Sequence, residues 1–278
     1  MAYQVHRVFE TPADDTKIWR YMDLPRFVSM LQRQAIFFSR ADRLGDPYEG
    51  SLTQPTLAAL GAQADALLGR LSAELGTPMD REATPRLVRE QIETMRQAPS
   101  RILVSCWYAA EEESPAMWGH YAHGRYGIAV QSTTGDIRQH LDTGRSVFVG
   151  RVKYVDYRTE LVPADNVFWP FLHKRAAFAH EQEVRAIIDS SLPYSGEPPN
   201  RTRVIPEFEV GLEVHIPLDR LLHRIFVAPQ APLWFREAVE GCVHQFAIDR
   251  EVQQSEFGQL PSWDVNQGES PCLPSEAL

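Results

Sequence analysis

Hydrophobic and polar positions alternate at two periods along this chain. Bulky residues crowd Lys17-Ile18-Trp19-Arg20-Tyr21, which predicts a short aromatic strand with Arg20 beside two rings. Asp23 then precedes Leu24-Pro25, an acidic cap followed by proline in the first turn of a helix. Phe27, Val28 and Leu31 supply that helix with a buried stripe, and Ala35 to Ser39 follows as a strand. Leu44 to Gly50 reads as a turn from its Gly, Asp and Pro content, and residues 1–16 as a loose arm. The pattern changes at residues 56–97. Leu57, Leu60, Ala64, Leu67, Leu68, Leu71 and Leu75 fall at helical spacing, Gly76-Thr77-Pro78 breaks the run, and a second helix follows Pro85. This predicts a helical insertion, 56–97, that covers a cleft or serves as an interaction surface.

Further along, Arg101 to Trp107 reads as a buried strand. Ser114-Pro115 starts a short helix carrying Met117, Trp118 and Tyr121 on one face. Strands are expected at Gly127 to Gln131, 146–150, 152–157, 214–216, 224–229 and 251–257, with helices after Leu218 and Pro232. The aromatic-rich stretch Asn166 to Phe178 is expected to be helical and to feed a strand opening on Glu181-Gln182-Glu183. Two carboxylates spaced by two on a strand leave on one face. Strands and helices mix without strict βαβ alternation. The expectation is therefore an α+β fold with mixed, mostly antiparallel sheets and flanking short helices. Residues 1–257 form one domain with the insertion, and 258–278, polar and turn-rich, a mobile tail.

Composition narrows the classes. With 278 residues, 44% hydrophobic and 23% charged, the chain has ample material for a core. A formal net charge of −9 argues against bulk electrostatic affinity for nucleic acid or anionic membrane. The first fifteen residues lack a signal-peptide pattern, and no apolar run approaches a membrane span. Cys106, Cys242 and Cys272 are far apart and odd in number, which fits a reducing, cytoplasmic setting.

Most familiar chemistries are absent. His120-x-x-His123 lacks the glutamate of a metalloprotease helix and an evident third ligand, so no metal is expected. No phosphate loop, dinucleotide fingerprint or nucleophile elbow occurs. A lone cysteine in an apolar strand, Cys106, reads as core packing. What remains is a constellation of Arg20, Ser39, Ser105, Trp107, Trp118, Tyr121 and Glu183 at strand ends or on short helices. A cation, aromatic faces and a carboxylate suit a flat, phosphate-bearing ligand. Arginine forks onto phosphate, and a carboxylate stabilises positive charge growing on a ribose carbon. The plainer alternative makes Glu181 and Glu183 solvated edge charges, or one of them the partner of Arg185, with Trp107, Trp118 and Tyr121 in the core.

Several blocks resemble the bacterial domain-of-unknown-function family 2971. They are Phe38-Ser39-x-x-Asp42-x-x-x-Asp46-Pro47-x-Glu49, Val104-Ser105-Cys106-Trp107, Ala116-Met117-Trp118-x-x-Tyr121, Gly127-Ile128-Ala129-Val130 and Lys174-Arg175-x-x-Phe178-x-x-Glu181-x-Glu183-Val184-Arg185. They run in family order over residues 18–230. The order of an arginine on the first strand, a serine on a middle strand and Glu-x-Glu opening a later one is similar to the Arg-Ser-Glu class of ADP-ribosyltransferases. That likeness implies a split-sandwich fold and NAD as co-substrate. It puts phosphate binding on Arg20, ribose orientation on Ser105, glycosidic cleavage on Glu183 and the acceptor near Glu181. Tyr21, Ser39, Trp107, Trp118 and Tyr121 would complete the cofactor pocket. The family's Ser-Thr-Ser is Ser105-Cys106-Trp107 here. The implied activity is cleavage of the nicotinamide–ribose bond, with modification of a macromolecular acceptor or, as a glycohydrolase, release of free nicotinamide. The competing expectation is a non-catalytic nucleotide- or protein-binding module of bacterial defence or regulation.

Overall fold

The computed structural model describes residues 2–76, 82–122, 125–141, 143–192 and 210–258. The chain opens with β1 (Lys17–Asp23), α1 (Leu24–Arg33) and β2 (Ala35–Arg40). Two longer helices follow, α2 (Gln54–Leu75) and α3 (Ala83–Gln97), then β3 (Ile102–Ala109), α4 (Pro115–Tyr121), β4 (Gly127–Thr133) and α5 (Thr134–His140). The second half contains β5 (Phe148–Arg151), β6 (Lys153–Val155), β7 (His173–Arg175) and β8 (Glu183–Asp189). It continues with β9 (Gly211–His215), α6 (Leu218–Leu221), β10 (Arg224–Val227), α7 (Leu233–Gln245) and β11 (Val252–Gln254). Of the expected tail, 258–278, residues 259–278 lie outside the described residues.

Local chemistry sets the helix boundaries. The Asp23 carboxylate accepts the Arg26 amide at the start of α1, and Gln34 closes it in the left-handed conformation. Thr53 caps α2, and Gly76 ends it at φ 64°. Ser114 caps α4 through the Met117 amide, with Pro115 in the first turn.

The fold is α+β, built on a mixed, mostly antiparallel sheet. Its main path runs β11-β10-β4-β1-β3-β2-β9, with β8 paired to β3 and β5 paired to β8. Only β10 and β11 run parallel within that sheet, and β6 and β7 form a small parallel ladder apart from it. The stretch expected to be helical, Asn166 to Phe178, is instead a turn at Trp169–Phe171, then β7, then a 3-10 turn over Ala176–Glu181. Pro170 sits inside it, and His173 to Arg175 find ladder partners on β6, which local composition does not reveal.

The sheet forks at β3. One edge of β3 pairs with β8 along its whole length, from Ile102 opposite Asp189 to Tyr108 opposite Glu183. The other edge is shared. β2 pairs only at Leu103 and Val104, and β1 only at Tyr108 and Ala109. Between them Ser105, Cys106 and Trp107 face a gap where β1 and β2 splay apart. Strand alternation sorts the side chains on either side. Ile18, Met22, Leu103, Trp107, Val184 and Ile188 join the core under α1 and α7. On the opposite face Trp19, Tyr21 and Tyr108 pack with Met117 and Trp118 of α4. The predicted insertion is present as α2 and α3, tied together by Thr84 to Asp65 at 2.5 Å and to the body by Thr56 to the Val162 carbonyl at 2.6 Å. None of its described residues lines the cleft at the fork.

Candidate functional site

A cleft of about 810 Å³ opens at the fork. It draws walls from both faces of the sheet: Arg20 and Trp107 with Arg26, Met30 and Arg33 of α1, and Cys106, Tyr108 and Glu183 with Lys174, Phe178 and Tyr121. That volume lies within the range of small-molecule sites.

Its acidic end is set by a kink. Glu183 opens β8, but Glu181 belongs to the preceding 3-10 turn, and Gln182 between them is left-handed at φ 38°. The expected strand with both carboxylates on one face is therefore corrected, because the period of two starts only at Glu183. The two carboxylates still converge, through Lys174 of β7. Its Nζ lies 2.5 Å from Glu181 Oε2 and 3.5 Å from Glu183 Oε2. Tyr121 Oη donates to the other Glu181 oxygen at 2.6 Å. The Gln182 carbonyl accepts the Ala109 amide, which fixes the kink against the end of β3.

Glu183 is no solvated edge charge. β8 is flanked by β3 and β5, and Glu183 is 5% exposed while Arg185 is fully buried. Arg185 grips Glu183 with two bonds, Nε at 2.8 Å and Nη2 at 3.0 Å. Its Nη1 and Nη2 grip Glu49 at 2.8 and 2.7 Å, and Nη1 also reaches the Phe171 carbonyl at 2.8 Å. Tyr154 Oη accepts the Glu183 amide at 2.7 Å. Burial pushes the Glu183 carboxyl up, but Arg185, Lys174 and the Cys106 thiol together hold it at about 2. Burial likewise works against the Lys174 ammonium, yet Glu183, Glu181 and Glu49 outweigh it and raise its pKa. Burial and Glu183 push the Cys106 thiol well up, so it stays protonated and unreactive at neutral pH. Three carboxylates against two cations leave this buried network with one formal negative charge.

The opposite wall carries a different kind of cation. Arg20 donates to Ser105 Oγ at 3.0 Å and to the Phe37 carbonyl at 2.9 Å, bridging the gap between β1 and β2. Its guanidinium lies 5.6 Å from the centre of the Trp107 ring. All its partners are neutral, and among the described residues no carboxylate pairs with it. Arg26 and Arg33, by contrast, are paired with Asp23 and Glu213. A guanidinium has five donors, so three of Arg20's are not used by these two bonds.

The expected site residues separate into two groups. Arg20, Tyr21, Ser39, Trp107, Tyr121, Glu181 and Glu183 line the cleft. Ser105 and Trp118 do not. Ser105 is fully buried and accepts from both Arg20 and Trp107 Nε1, so it positions the arginine and does not face a ligand. Trp118 bonds Glu113 through Nε1 at 2.8 Å and packs edge-on against Tyr21, supporting the wall from behind. Lys174, Glu49 and Tyr154 were missed as functional side chains. Glu49 and Lys174 stand inside two of the motif blocks quoted above, so the signal was present without a role attached. Of the two histidines of the rejected metal motif, His120 faces His180 at 5.4 Å, and His123 lies outside the described residues. Among the described residues no group of His, Cys, Asp and Glu could hold a metal, and no helix is long and apolar enough to cross a membrane. No known protein family, curated protein or solved structure matches the chain.

Proposed function

We propose that this chain consumes NAD in the manner of an ADP-ribosyltransferase, breaking the nicotinamide–ribose bond and passing ADP-ribose to a macromolecular acceptor. The observation that carries the reading is the forked sheet, with Arg20 lacking a counter-ion among the described residues on one wall and Glu183 held ionised and buried on the other. In this reading Arg20 takes the diphosphate with its remaining donors, and Ser105 fixes its orientation. The nicotinamide ring lies among the aromatic side chains of the cleft. The ionised Glu183 stabilises positive charge that develops on the ribose carbon, an effect strengthened where water is excluded. Glu181 stands where the acceptor would approach.

A second reading, a non-catalytic nucleotide- or protein-binding module, is favoured by one detail. Glu183 already accepts from Arg185 twice, from Lys174 and from Cys106, which uses the roughly four lone-pair positions of a carboxylate. One experiment separates the two. Purified protein is incubated with NAD and nicotinamide release followed for wild type, Glu183→Gln and Arg20→Gln, with circular dichroism confirming that each is folded. The enzyme reading expects release by the wild type, a loss of at least about 100-fold in folded Glu183→Gln, and weakened NAD binding in Arg20→Gln. Saturable NAD binding with no product in any sample would leave the binding module. Full activity in folded Glu183→Gln would remove the mechanism.

A further inference from the structure

Transfer to an acceptor releases a proton, and the geometry around Glu181 identifies its path. We propose that Tyr121 carries the acceptor's proton to Glu181, so that the phenol and not the carboxylate meets the incoming group. This inference rests on the NAD-cleaving reading. Glu181 is 4% exposed, and each of its oxygens is occupied, one by Lys174 Nζ at 2.5 Å and one by Tyr121 Oη at 2.6 Å. Tyr121 is 37% exposed and lines the cleft. Glu181 also borders the cleft, but Tyr121 presents far more surface to it and is bonded to Glu181, so an acceptor in the cleft meets the phenol first. A phenol suits this task because its oxygen accepts one hydrogen bond while its O–H donates another.

The step balances as a single shift. The acceptor oxygen bonds to the ribose carbon as the carbon–nitrogen bond breaks, and that electron pair leaves with the nicotinamide, which departs neutral. The acceptor's hydrogen moves to Tyr121 Oη while the tyrosine's own hydrogen moves to Glu181. Glu181 ends as the neutral acid and returns the proton to solvent. Tyr121 never becomes a phenolate, which accords with burial and the neighbouring Glu181 raising its pKa far above the usual tyrosine value. Lys174 holds Glu181 in register for the transfer. The tyrosine is itself placed by α4, whose cap at Ser114 is bonded to Tyr21 Oη at 2.9 Å.

The test compares wild type with Tyr121→Phe, using water and then methanol as the acceptor and nicotinamide release as the readout. Phenylalanine preserves the ring and removes only the proton path. Kcat is expected to fall by about 100-fold, the usual lower range for a general acid–base group, with KM for NAD changing less than about 3-fold. The wild-type solvent deuterium effect on kcat should change in the variant. A folded Tyr121→Phe protein with kcat within about 3-fold of wild type overturns the inference, as does a loss confined to KM. Silence of the wild type with both acceptors is a different failure: it removes NAD cleavage with a hydroxyl acceptor, and the relay with it.

Discussion

Replacing Arg185 by methionine tests whether the acidic end of the cleft is a dry ion network. The guanidinium is fully buried and makes five hydrogen bonds: two to Glu49, two to Glu183 and one to the Phe171 carbonyl. Methionine occupies much of the same space, so packing is largely retained and the main change is electrostatic. Glu49 and Glu183 are then left with Lys174 as their shared cation, at 3.5 Å from each. Breaking a buried pair from one side costs about 3–5 kcal/mol. For 278 residues the unfolding entropy is about 0.6 kcal/mol per degree, so the melting temperature should fall by about 5–9 °C. Thermal melts followed by circular dichroism at neutral pH measure this directly. Glu49→Gln in the Arg185→Met background should restore part of the loss, because the two side chains are in contact and their effects are coupled by about 1 kcal/mol or more. A drop below about 2 °C, or strictly additive effects, would mean that solvent reaches these carboxylates and that the network is not what anchors β8.

Acid should weaken the fold through Glu183. Its folded pKa, about 2, lies below its ordinary value of 4.5, so its contribution is complete above pH 4.5 and is lost as pH falls toward 2. That difference corresponds to about 3 kcal/mol. Urea midpoints measured from pH 5 to 2 should fall steeply for wild type and less for Glu183→Gln, and equal slopes would contradict the assignment. The left-handed Gln182 gives a backbone test. Gln182→Gly should be tolerated, whereas Gln182→Val should cost about 1–2 kcal/mol by melting temperature and pull Glu181 away from Lys174.

Local chemistry was legible in the sequence, and long-range pairing was not. Asp23 with Pro25, and Ser114 with Pro115, announce α1 and α4 because a cap acts within three residues of itself. The alternation of β1 is equally readable, since Ile18 and Met22 face one core and Trp19 and Tyr21 the other. The stretch Asn166 to Phe178 misleads because its side chains serve different surroundings, Phe168 and Phe171 in an apolar cluster and Lys174 in the ion network. The kink at Gln182 is hidden because a non-glycine residue seldom adopts that conformation. Arg185 and Glu49 lie 136 residues apart, and no periodicity connects them. The fork is invisible for the same reason: alternation tells which face a side chain takes, not which strand lies alongside.

The ion network is costly for what it does to stability. Buried charge pairs are often replaceable by well-packed apolar residues at no loss, so stability alone is a poor account of Lys174, Arg185 and three glutamates gathered at one strand end. Their arrangement has a second consequence. It leaves negative charge at one end of the cleft, while Arg20, without a counter-ion among the described residues, supplies positive charge on the facing wall. A ligand with an anionic diphosphate and a cationic ring, as in oxidised NAD, matches that polarity in one orientation and opposes it in the other. Reversing it would set the diphosphate against Glu181 and Glu183 and the ring against Arg20, two unfavourable contacts in a site partly shielded from water. On the proposed reading, the network orients a ligand of this kind before any chemistry begins, with groups that the fold, not the ligand, has already buried.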